Sequence, residues 1–353
     1  MISKRGLCTC FLLGAAIAAM GQSKEENRNK CRSTDPDTRV AGCTALIQGS
    51  RDTADDWSVV YNNRGIAYYE KGDYDLAIQD LNEAIHLNPK DEKAYDGRGV
   101  AYKKKGDFDH AIRDFNEAIH LNPNFERAYN DRGAAYIDKE EYDRAIQDFN
   151  EAIRLNPNNA NNYNNRSVAY MRKGDYGAAI KDDNQAIHLN SNDTTAYLNR
   201  GGAYFAQSNL TAAIADFEHT VSAAPSSSAA VSAAIWLHVV MKRQGQDDAQ
   251  QLARVAAAAD LSKWPGPVLK LDLAQATANE VMVAAASGVP AWQKWRVCEA
   301  NYFTGEDALF HHQRTTALTL FKAARNGCPK GDTFYAAALA ELKRLSAPVV
   351  TAK

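Results

Sequence analysis

From residue 58 to residue 227, large apolar and aromatic side chains recur three and four positions apart, with small residues between them and polar residues on the remaining faces. That is helical spacing. The whole arrangement then repeats. "YNNRGIAYYEKGDY" at Tyr61 returns as "YDGRGVAYKKKGDF" at Tyr95, "YNDRGAAYIDKEEY" at Tyr129, "YNNRSVAYMRKGDY" at Tyr163 and "YLNRGGAYFAQSNL" at Tyr197, each 34 residues after the one before. A fixed period of this length predicts helix pairs that stack on one another, because one pair alone cannot bury its apolar face.

Numbering the period so that Pro89 falls at position 32 aligns the remaining landmarks. Position 4 is Tyr61, Tyr95, Tyr129, Tyr163 and Tyr197; position 8 is Gly65, Gly99, Gly133, Ser167 and Gly201. Position 20 is Ala77, Ala111, Ala145, Ala179 and Ala213, and position 24 is Leu81, Phe115, Phe149, Asp183 and Phe217. The small residues at 8 and 20 belong where two helices come close, and proline at 32 ends the second helix because it has no N–H for the next backbone bond. Asp183 puts a carboxylate at a core position; an unpaired one is costly there, so an arginine neighbour or local loosening is expected.

These landmarks resemble the tetratricopeptide repeat (TPR) family: an aromatic at 4, Gly at 8, Tyr at 11, Ala at 20, Phe at 24, Ala at 27 and Pro at 32. Five near-complete copies occupy 58–91, 92–125, 126–159, 160–193 and 194–227. The resemblance implies an all-α, right-handed superhelix, a solenoid of helix hairpins. It also implies that the first helices line a concave face, chiefly through positions 2, 5, 6, 9, 12 and 13.

Position 7 carries Arg64, Arg98, Arg132, Arg166 and Arg200, and position 23 carries Asp80, Asp114, Asp148, Asp182 and Asp216. In an antiparallel hairpin that turns near position 15 these two positions face each other. The expectation is a repeated half-buried ion pair that fixes hairpin register; the alternative is a row of free arginines that binds anions.

Outside the array the chain reads as N-terminal capping helices over 22–57 and a helical C-terminal region over 228–353. A degenerate repeat at 298–331 is followed by a capping helix. Lys4 and Arg5 precede an apolar run from Leu7 to Met20, the build of an export signal over 1–21; an uncleaved anchor is the alternative, though the run is shorter than the ~20 apolar residues of a membrane span. No transmembrane span is then expected after cleavage. Removing the signal, with Cys8 and Cys10, leaves Cys31, Cys43, Cys298 and Cys328. An exported chain would join them in two disulfides, and sequence alone allows three pairings. In the repeat frame Cys31 with Cys43 and Cys298 with Cys328 each fall across one hairpin, which makes these the preferred pairs.

The stretch from Cys298 to Leu342 also resembles the end of NlpI-type TPR proteins, bacterial envelope proteins that act as adaptors for proteases and peptidoglycan hydrolases. Those relatives are lipid-anchored, and no matching cysteine is present here.

Charge narrows the function further. Lys and Arg number 41 against 43 Asp and Glu, interspersed, with a net charge of -2, so no field would draw the chain onto nucleic acid. Convergent catalytic groups, phosphate loops and metal-ligand spacings are not found, so no cofactor, no metal and no enzymatic activity are expected. His86, His120 and His188 share position 29, one repeat apart, and suit a solvated ridge. What remains is a surface for a protein or peptide partner. Asn62, Asn63, Asn130, Asn164, Asn165 and Asn199, at positions 5 and 6, offer donors and acceptors to the backbone of an extended segment, or merely suit a solvated groove. Tyr69 would add apolar contact, and Lys93 and Lys103 a basic spot. The expected function is therefore a non-catalytic interaction scaffold of the bacterial periplasm or envelope, exported or secreted. The alternative is a regulatory or targeting subunit of an envelope protease or peptidoglycan hydrolase.

Overall fold

In a computed structural model, residues 24–49, 54–330 and 332–346 are described; the expected signal, with Cys8 and Cys10, lies outside the described residues. All regular structure among them is α-helical. The chain divides into two compact units, with the division between Arg132 and Gly133.

The first unit opens with α1 (24–31) and α2 (Pro36–Gly49). Cys31 and Cys43 are disulfide-bonded, with Cα atoms 4.6 Å apart, and both are buried beside Leu46. Two hairpins follow: α3 (Ala54–Lys71) with α4 (Tyr74–Leu87), and α5 (Glu92–Lys105) with α6 (Phe108–Leu121). Neighbouring helices pack in sequence order. The closest approach needs glycine: a Cβ built on Gly99 would lie 2.7 Å from the Phe115 ring. Gly106 ends α5 in the left-handed region at φ 82°, where its N–H bonds back to the carbonyls of Tyr102 and Lys103. α7 (Glu126–Asp138) spans the division.

The second unit continues the hairpins with α8 (Tyr142–Leu155), α9 (Ala160–Lys173), α10 (Tyr176–Leu189), α11 (Thr194–Ala206) and α12 (Leu210–Ala223). Beyond them lie α13 (Ser228–Arg243), the shorter α14 (Ala249–Ala258), α15 (Gly266–Asp272) and α16 (Ala278–Ala285), and then α17 (Pro290–Phe310), α18 (Arg314–Gly327) and α19 (Thr333–Ser346). α17 and α18 form another hairpin in which Phe321 takes the ring position, 2.8 Å from a Cβ built on Gly305. A disulfide joins Cys298 to Cys328, Cα atoms 5.2 Å apart, across its open end.

Trp236 of α13 is the centre of this unit's core. Its ring lies 4.9 Å from Phe205, 5.7 Å from Tyr302, 5.1 Å from Phe303 and 5.3 Å from Phe334. One aromatic cluster thereby ties a repeat helix, α11, to α13, α17 and α19, which is why the C-terminal helices form part of the same core rather than an appendage.

Candidate functional site

The arginines at position 7 are committed within the fold. Arg64 donates to Asp80 from Nε at 2.7 Å and from Nη2 at 2.8 Å. Arg98 makes the same two-bond fork to Asp114, Arg166 to Asp182 and Arg200 to Asp216, all between 2.6 and 2.8 Å. The remaining Nη1 reaches the preceding hairpin: Arg98 donates to Asn82, Arg132 to Asn116, Arg166 to Asn150 and Arg200 to Asn184 at 2.6–2.7 Å. Each of these guanidiniums also lies over the position-4 tyrosine of its own repeat, with Arg200 5.2 Å from the Tyr197 centroid. The hydrogen bonds to Asp80, Asp182 and Asp216 hold Arg64, Arg166 and Arg200 above the ordinary arginine range. Asp148, like the other four aspartates, is buried.

The asparagines at positions 5 and 6 do not form a uniform ladder. Asn164 is a correction: it is 4% exposed, and its Nδ2 donates to Asp193 Oδ2 at 2.8 Å. Asp193 Oδ1 in turn accepts from the backbone N–H groups of Thr195 and Ala196 and caps α11. Asn164 thus supports a helix start instead of facing a ligand. Asn63, Asn130 and Asn165 are half-buried, and Asn130 and Asn165 both have partners within the chain.

In the first unit, Asn62, Tyr69 and Lys93 share a half-open recess of about 270 Å³ with Ile66, Glu70, Leu81, Val100 and Phe125, and with Asp96 and Arg127. Apolar walls come from the exposed sides of α3 and α5, whose other sides hold the hairpins together. Asp96, at position 5 of its repeat, is 1% exposed. Its Oδ2 lies 3.0 Å from Arg127 Nε, which also reaches Asp131 at 3.4 Å. Its Oδ1 is buried without a partner, as is Oδ1 of Asn62. Burial, reinforced by the Asp131 charge, pushes the Asp96 carboxyl up to about 7, opposed by Arg127 and Lys103. Neither Asp96 nor Arg127 was singled out by the sequence pattern. The available signal was a carboxylate at position 5 of one repeat where three others have asparagine.

The corresponding face of the second unit is partly covered by the chain's own C-terminal helices. Phe205 at position 12 is 8% exposed against Trp236. Arg172 at position 13 stacks on Trp295 of α17, 4.2 Å from its ring centroid, and pairs with Asp332. Glu140 pairs with Lys294 of α17. Asn199 lies in a second recess of about 270 Å³ with Met171, Arg172, Trp236, Glu299 and Phe334. Glu299 accepts from Trp264 Nε1 at 2.8 Å, and burial pushes it up to about 7. The physical reason is the large apolar surface of α13, α17 and α19, which finds its burial on the nearest repeat helices.

Asp183 is fully buried within an unbroken α10, and both carboxylate oxygens lack a hydrogen-bond partner; the neighbouring arginine, Arg200, acts on it through its charge and not through a hydrogen bond. Burial raises it well above the usual carboxylate range, with the Ser167 hydroxyl acting in the opposite sense. Ser167 stands where the other repeats have glycine, and the aspartate stands where three of them have phenylalanine. The two exceptions are complementary, since a ring at 183 would collide with any Cβ at 167, as the Gly133–Phe149 spacing of 2.7 Å shows.

Family profiles described as "Tetratricopeptide repeat" match residues 58–91, 93–125, 126–159 and 149–181, and one described as "TPR repeat" matches 168–208. Residues 58–208 are therefore tetratricopeptide repeats. Among solved structures, pilF of Pseudomonas aeruginosa is 17% identical with a TM-score of 0.51, over 63% of this chain and 98% of that one, and shares the fold. A MamA from Desulfovibrio magneticus is 20% identical with a TM-score of 0.44 over 48% of this chain and 95% of its own. YrrB, titled a TPR protein with an unusual peptide-binding site, is 18% identical with a TM-score of 0.41 over 53% and 94%. No curated protein sequence matches the chain.

Proposed function

We propose that this chain is a non-catalytic interaction scaffold of an exported, oxidising compartment, and that its first unit holds a segment of a partner protein. The observation that carries the reading is the recess between α3 and α5. It combines apolar walls with two buried acceptors that the fold leaves unused, whereas in the second unit Phe205 at position 12 and Arg172 at position 13 are engaged by the chain's own C-terminal helices. Buried polar atoms are almost always hydrogen-bonded in a completed structure; unused ones lining an open recess suit a site completed by a ligand. The two disulfides support the compartment, since such bonds persist where thiols are not kept reduced. Among the described residues no helix is long and apolar enough to cross a membrane.

The test is affinity capture from envelope extract, followed by titration of the purified partner, comparing the parent chain with Val100→Glu. Val100 lines the recess and takes no part in the arginine network. The variant is expected to melt as the parent does and to bind the partner at least tenfold more weakly. Equal affinity in the two proteins would remove the first-unit recess from the account.

A further inference from the structure

The scaffold reading leaves open what the recess selects, and the following rests on that reading. We propose that the first-unit recess takes a lysine side chain of the partner, its aliphatic stem along Ile66, Val100 and Phe125 and its ammonium on Asp96 Oδ1 and Asn62 Oδ1.

Two atoms of the recess are left without partners. Asp96 Oδ1 and Asn62 Oδ1 are both acceptors, buried and without partners, on residues that line the same recess. The missing group must therefore be a donor; a carboxylate would meet two lone pairs. Ile66, Leu81, Val100 and Phe125 give the recess apolar walls beside the charged Glu70, Lys93 and Arg127, so a donor at the end of a greasy stem matches both the walls and the acceptors. An ammonium on four methylenes fits both demands, with three N–H bonds at its head and a stem that buries well.

The charged groups around Asp96 set how a cation is received. Asp96 faces Arg127 and Asp131 on α7 and Lys103 on its own helix, while Tyr69 and Glu70 of α3 and Lys93 of α5 line the same recess. Arg127 is shared between Asp96 and Asp131, and with Lys103 counted, and Glu70 set against Lys93, these groups are balanced when all are ionised. The ammonium is therefore drawn by the two unused acceptors at close range rather than by a net charge. Because burial holds the empty-site carboxyl near 7, a bound cation must draw the proton off, and affinity should then climb as pH rises across that value. The lysine itself stays protonated throughout, with an ordinary pKa of about 10.4.

The experiment uses the full chain and three capped amino acids: N-acetyl-lysine methylamide, its norleucine counterpart and its glutamine counterpart. Binding is followed by nuclear magnetic resonance shifts of Ile66 and Val100. At pH 8 the lysine probe is expected to bind at least tenfold better than either of the others, and about tenfold better at pH 8 than at pH 6. Asp96→Asn should abolish both the preference and the pH dependence while leaving norleucine binding unchanged. Asn62→Leu, which leaves the Arg127 pair intact, should weaken lysine and strengthen norleucine. Equal binding of lysine and norleucine, a glutamine preference, or retention of the lysine preference in Asp96→Asn would each overturn the proposal. If lysine selectivity fails while capture still responds to Val100→Glu, only this inference falls; if capture ignores Val100→Glu, the scaffold reading of the recess falls with it.

Discussion

Arg98 Nη1 donates to Asn82 Oδ1 at 2.6 Å, and this bond crosses from one hairpin to the one before it. The same guanidinium forks onto Asp114 within its own hairpin. One side chain therefore fixes both the register of a hairpin and its stacking on its neighbour. Removing Arg98 strands a buried aspartate, whereas removing Asn82 takes away only an exposed neutral acceptor. Arg98→Ala is expected to cost about 3 kcal/mol and Asn82→Ala about 1 kcal/mol, read from denaturant unfolding of the full chain. Equal losses would mean that the fork and the bridge contribute alike.

The Ser167–Asp183 pair predicts a specific non-additivity. Asp183→Phe alone forces a ring against Ser167 and should destabilise, but together with Ser167→Gly it rebuilds the packing of the other repeats and should exceed the parent's stability. A double-mutant cycle measures the coupling, expected at about 1–3 kcal/mol. Independent, additive effects would show that the two exceptions are unrelated.

Asp183 also gives stability a pH dependence of definite sign. Its folded pKa lies above the unfolded value because the buried site disfavours the charge. The folded state therefore holds the proton more tightly, so this contribution is complete below the unfolded pKa and declines as pH rises towards the folded one. Asp183→Asn should flatten that part of the profile and raise the melting temperature most at pH 8. A parallel displacement at every pH would assign the dependence to other groups.

Position 15 turns through the left-handed region in all five repeats, with Gly72, Gly106 and Gly174 at φ 79–84° and Glu140 and Ser208 at 63°. A side chain there costs roughly 1 kcal/mol that glycine does not. Ser208→Gly should stabilise the chain by about that amount in chemical denaturation, with the recess of the first unit unaffected. No gain would place a compensating contact on Ser208.

The Cys298–Cys328 bond closes a loop of 30 residues around the last complete hairpin. Constraint of the unfolded chain makes such a link worth about 3–4 kcal/mol. Replacing both cysteines with alanine should lower the melting temperature in the absence of reductant and remove most of the effect of adding one. An unchanged melting temperature would mean that Trp236 and its aromatic neighbours hold this end unaided.

The hairpins, their turns and the facing of position 7 on position 23 were legible in the residues alone. Each depends on contacts within one period, and a 34-residue repeat prints those contacts five times. Asn82, Asn116, Asn150 and Asn184 recur at position 25 of the first four repeats, yet their role was hidden because it links one period to the next. Asn164 misled for a related reason: a residue type that suits a ligand also suits a cap, and only the approach of Asp193 decides between them.

What the chain's pattern determined is thus a solenoid of helix pairs with an arginine in each. Only the tertiary structure decided which inner faces stay available. The C-terminal helices have no period to match, and their large apolar surface settles wherever burial is greatest, on Phe205 and Trp236 and their neighbours. The recess around Asp96 is open because no comparable surface of its own unit reaches it, a fact of packing that no single repeat encodes.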